Sequence, residues 1–114
     1  MSDTALAFAR QCIGWPDAHI PNGTTAVFHG HGGGRFRTDD LNAIMKHVAE
    51  WCDREAARLG EYVTANVAYM SGRYVAHVFV GNKPRVFTAE ATDPCEALME
   101  ACVRRREGLL RETH

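Results

Sequence analysis

Apolar positions along the chain first follow a helical period. After Ser2 or Thr4 as a cap, Leu6, Phe8, Ala9, Cys12 and Ile13 recur at helical spacing, and Gly14-Trp15-Pro16 stops the run. From Asp17 to Gly34 the chain is rich in Gly, Pro, Asn and His, and only Thr24 to His29 has strand character, which predicts a lone strand. Thr38 is then placed to cap a long helix, with Asp39 and Asp40 at the positive end of its dipole. Leu41, Ile44/Met45, Val48, Cys52, Ala56 and Leu59 form one stripe on that helix, and Gly60 ends it.

The period next falls to two. Val63, Ala65, Val67 and Tyr69 alternate with Tyr62, Thr64, Asn66 and Ala68, and Ser71-Gly72 turns the chain into a strand from Tyr74 to Val80. Gly81-Asn82, before Lys83-Pro84, turns it again into Arg85 to Ala91. Connections this short require antiparallel pairing, so the three strands form a meander. Asp93-Pro94-Cys95-Glu96 combines a capping carboxylate, Pro at the first helical position and Glu three residues after the cap, which starts a last helix. Its stripe is Cys95, Leu98, Ala101/Cys102 and, at its far end, Leu109, its last turn carries Arg104, Arg105 and Arg106, and fraying is expected beyond Gly108.

The order α-(β)-α-β-β-β-α places residues 1–114 in the α+β class as one domain, with an antiparallel sheet of three to four strands. Val78 and Val80 on one side of the middle strand, with Val75 and Phe79 on the other, predict helices on both faces, an α/β/α sandwich. Three segments, residues 5–15, residues 38–45 with 50–53, and residues 95–103, resemble the phage α/β/α sandwich family of small bacteriophage and prophage proteins. That resemblance implies the fold and a phage or prophage origin. Its motifs are packing motifs, so it implies no activity and carries no functional residue across.

Composition narrows the function classes. A chain of 114 residues, 46% hydrophobic and 24% charged, is one ordinary globular domain. Thirteen basic against fourteen acidic residues leave a net charge of −1, so no global field draws it to nucleic acid or an anionic membrane. The N-terminal stretch has no apolar run of signal-peptide or membrane-span length, which predicts a cytoplasmic protein. Cys12, Cys52, Cys95 and Cys102 are accordingly expected as reduced, packed thiols.

No motif carries catalysis. His29-Gly30-His31 supplies two imidazoles, and two ligands do not make a metal site. Gly30-His31-Gly32-Gly33-Gly34 before a helix start suggests an anion nest, but no Lys-Ser/Thr pair follows and Asp39 and Asp40 occupy the helix terminus. The expectation is a non-enzymatic accessory protein without cofactor or metal that binds a host protein, for instance a component of a defence system such as CRISPR-Cas. Its contact candidates lie in the irregular region from His19 to Arg37 and are Phe28, His29, His31, Arg35, Phe36 and Arg37. The alternative is nucleic-acid binding, like that of double-stranded RNA binders, through Lys83, Arg85, Arg104, Arg105 and Arg106. Against it, the segment from Asp93 onward holds four basic and five acidic residues. The outer sheet edge leaves a homodimer open.

Overall fold

The computed structural model describes residues 2–30, 33–81 and 85–112. Helix α1 (Ser2–Phe8) widens into a π-helical turn (Ala9–Ile13), which Gly14 closes in the left-handed region at φ 89°. Both Gly14 and Trp15 donate their N–H groups to the Ala9 carbonyl. Strands β1 (Ala18–His19), β2 (Ala26–His29) and β3 (Arg35–Arg37) follow, then α2 (Leu41–Leu59), β4 (Val63–Met70), β5 (Arg73–Val80), β6 (Arg85–Ala91) and α3 (Pro94–Glu112).

The class is α+β, with the antiparallel meander β4-β5-β6 packed against helices, as the periodicity implies. Its first turn uses Ser71 at φ 49° and Gly72 at φ 86°, both positive, the combination that suits a two-residue hairpin between twisted strands. The helix-facing row of β5, Ala76, Val78 and Val80, is buried in the core with Leu98 and Cys102 of α3. Its other row faces away from that core. There Val75 is buried, while His77 and Phe79 are half-buried beside their cross-strand neighbours Asn66, Thr88, Thr64 and Val86.

The strand expected to be alone is the middle of a second antiparallel sheet, β1-β2-β3. Phe36 and Val27 of this small sheet enter the main core, and Phe36 meets Phe8 edge to face at 6.1 Å. Cap assignment also shifts by two residues. Asp40, not Thr38, caps α2 by accepting from the Ala43 N–H at 3.1 Å, an interaction of about 1 kcal/mol. Thr38 instead ties β3 to β2, its N–H and hydroxyl both donating to the Thr25 carbonyl.

Helix α3 starts as its cap predicts, with the Cys95 N–H donating to the Asp93 carboxylate at 2.8 Å. It runs to Glu112, past the expected fraying point, and Gly108 leaves room where a Cβ would stand 2.8 Å from the Phe87 ring. Ala97, Leu98, Met99, Ala101 and Cys102 are all buried, because the large sheet covers one side of α3 and α1 covers the other. That small-residue helix is the centre of the molecule. Among the described residues, no helix is long and apolar enough to cross a membrane.

Candidate functional site

The small sheet has two unlike faces because its side chains alternate. Ala18, Val27 and Phe36 point inward and are buried. His19, Phe28 and Arg35 are cross-strand neighbours on the outer face and form one row across all three strands. The His19 and Phe28 rings stack at 6.1 Å, and the Arg35 guanidinium lies 6.0 Å from the Phe28 centroid. Cation and imidazole thus flank a half-buried benzene ring, a contact worth about 0.5–1 kcal/mol at such exposure.

Beside the row, Arg37 is exposed and paired with Asp39 through two hydrogen bonds, at 3.0 and 2.9 Å. That pairing holds the Asp39 carboxyl below its usual range and raises Arg37. Phe28, Arg35, Arg37, Asp40 and Ala43 line a groove of about 600 Å3 that runs from the outer face to the start of α2. Its walls carry both signs of charge, with Arg35 and Arg37 on the strand and Asp40 at the helix start.

The row is held from behind by aromatic packing. Trp15 stacks flat on His29, at 5.0 Å and 3°, and both Trp15 and Phe36 contact the His47 ring at 5.5 Å. Burial lowers the pKa of His47, so the ring is neutral at pH 7. Gly33 and Gly34 close the hairpin onto this stack: His29 N–H donates to the Gly34 carbonyl and Gly33 N–H to the His29 carbonyl. A Cβ on Gly33 would stand 2.8 Å from the His29 carbonyl oxygen, and one on Gly34 would stand 3.1 Å from Trp15.

Of the residues singled out from the sequence, the structure brings Phe28, Arg35 and Arg37 onto one surface. Phe36 is buried in the core, and His29 is half-buried under Trp15, so those two support the surface from behind. His31 lies outside the described residues. So does Lys83, and for Arg85 only the backbone is described. Arg104 donates to the Thr88 carbonyl and reaches Glu100 at 3.4 Å. Arg105 is 2% exposed, with its guanidinium 5.5 Å from the Phe87 centroid. The three consecutive arginines therefore do not share a solvent face.

Sequence periodicity gives no sign of His19, because its partner on β2, Phe28, is set by strand register and not by spacing along the chain. It also gives no sign of a 280 Å3 pocket lined by Gln11, Cys12, Trp51, Arg54, Glu55, Arg58 and Arg106. Two of its three cations are already engaged there. Arg54 donates to the Cys12 carbonyl at 2.8 Å, and Arg58 forks onto the buried Glu55 carboxylate at 2.9 and 3.2 Å. Among the described residues, no three His, Cys, Asp or Glu side chains converge as metal ligands would.

The cysteines are four free, buried thiols. Burial pushes the Cys12 thiol up to about 12, and Cys52 and Cys95 to about 11, from 9.0. Cys102 is raised for the same reason. Raised values mean that the folded state holds the protonated form, so this contribution to stability is complete below pH 9 and is lost as pH climbs through 11 to 12. A thiol-reactive reagent is expected to label none of the four in the native protein at pH 8 and all four in denaturant. Fast native labelling of Cys12 would contradict that burial.

Compared with known proteins, the chain matches no family model, no curated protein and no solved structure. The likeness of its helical segments to the phage family thus gains no support from these comparisons.

Proposed function

We propose that this chain is a non-enzymatic, protein-binding accessory protein that docks a partner on the outer face of β1-β2-β3 and acts by occlusion. The observation that carries this reading is the outer-face row of exposed His19, half-buried Phe28 and exposed Arg35 beside a groove with walls of mixed charge. An aromatic anchor flanked by arginine, rimmed by paired charges, is the composition of protein interfaces. A polyanion would instead meet Asp39 and Asp40 next to the two arginines, and the chain's net charge of −1 offers no compensating field. The resemblance to phage proteins supports a host protein as the partner, a defence component such as one of CRISPR-Cas, in the cytoplasm of the infected cell.

A pull-down from nuclease-treated host lysate tests this with wild type beside Phe28→Ala/Arg35→Ala. Loss of two hot-spot contacts is expected to weaken capture at least ~30-fold, with the circular dichroism spectrum unchanged. Equal capture by both proteins would overturn the site. Binding that disappears on nuclease treatment and falls steeply with salt would favour nucleic acid instead.

A further inference from the structure

The two edges of the large sheet are treated differently. On β6, Arg104 reaches over from α3 and takes the Thr88 carbonyl, and Glu90 adds a charge to the strand. Side chains that occupy or charge an edge are a standard defence against pairing with another chain. Among the described residues, strand β4 has none of these devices. Its eight residues, Val63–Met70, include no charge and no proline, and its register with β5 runs unbroken from Val63↔Val80 to Met70↔Arg73, without a bulge. Three of the five exposed large apolar side chains among the described residues stand on it or just before it: Tyr62 at 59%, Tyr69 at 64% and Met70 at 59%.

We infer that β4 is a self-association edge, at which a second copy of this chain adds its own β4 antiparallel and joins the two meanders into one six-stranded sheet. A two-fold axis normal to the sheet keeps like faces together, so a residue can lie opposite only one of its own parity. With the axis on Asn66, seven residues of each strand pair, as many as any like-parity register allows, and Tyr62 just before the strand extends the overlap. Tyr62 then lies opposite Met70, Val63 opposite Tyr69, Thr64 opposite Ala68, Ala65 opposite Val67, and Asn66 opposite itself. Each exposed apolar side chain gains an apolar cross-strand neighbour, and no charge meets its like. At the ends, Glu61 of one copy approaches the turn that leads to Arg73 of the other. This self-complementarity selects a second copy over an unrelated strand.

Sedimentation equilibrium across micromolar concentrations tests the pairing. Wild type should rise with concentration toward twice the chain mass of 12.6 kDa. Asn66 is exposed and its side-chain oxygen lies 3.3 Å from His77 Nδ1, so Asn66→Lys gives up that one contact and places two ammonium groups face to face at the axis, with an unchanged circular dichroism spectrum as the check on the fold. That variant should stay monomeric, and an equimolar mixture of Asn66→Lys with Asn66→Glu should recover the dimer mass. A wild-type monomer at every concentration would overturn the inference, as would an Asn66→Lys dimer as strong as wild type or a mixture that stays monomeric.

Discussion

Replacing Phe8 by alanine is expected to destabilise the fold by about 3–5 kcal/mol. Phe8 is fully buried at the point where α1 gives way to the π-helical turn, and its ring meets Phe36 edge to face. It therefore joins the helical layer to the small sheet. Truncation removes the transfer energy of a whole benzene ring and leaves a cavity between two elements that cannot both collapse into it. A domain of this size has only about 5–15 kcal/mol in total. Urea unfolding should show the midpoint falling at unchanged slope, with Phe8→Leu retaining most of the stability. A loss below ~1 kcal/mol would mean that the Phe8 and Phe36 rings are not packed as described.

Gly33→Val should cost less, about 1–3 kcal/mol, the range of overpacked sites. The added Cβ has no room, because its position is already within 2.6 Å of the His29 ring and 2.8 Å of its carbonyl oxygen. Relief requires the hairpin between β2 and β3 to open, which lifts His29 off Trp15. Thermal melting should shift down by several degrees, and Trp15 fluorescence should change with it. Unaltered melting and fluorescence would show that Gly33 has no part in holding the aromatic stack.

The contrast between the two sheets explains how much of the molecule is legible in the sequence. Strands β4 to β6 are seven or eight residues long, enough for alternation to show, and Ser71-Gly72 and Asp93-Pro94 mark their boundaries in residue types alone. By contrast, β1 and β3 have two and three residues, shorter than one detectable period, and are recognisable only through their pairing with β2. The same limit hides one member of the candidate site. Phe28, Arg35 and Arg37 stand out as aromatic and basic residues in a polar stretch, whereas the contribution of His19 depends on register.

Burial departs from the periodic pattern where an element has two neighbours. On α2, which packs on both β4 and α3, the buried arc is turned from the apolar stripe: Trp51 is buried where Met45 is exposed and Ala56 half-buried, and Glu55, on the same face as Val48 and Cys52, is buried despite its charge. Arg105 reads as a surface cation among three, yet it lies on the side of α3 that faces Phe87. In a helix enclosed by a sheet and another helix, the alternation of charge no longer reports solvent.

Hydrogen exchange on the chain alone and with its captured partner gives the most direct test of docking on the small sheet. Amides of Ala18–His29 and Arg35–Arg37 should become protected on binding, while those of β4 and α3 stay as they were. Protection confined to α3 or to β4, with the small sheet unchanged, would contradict the proposed docking face.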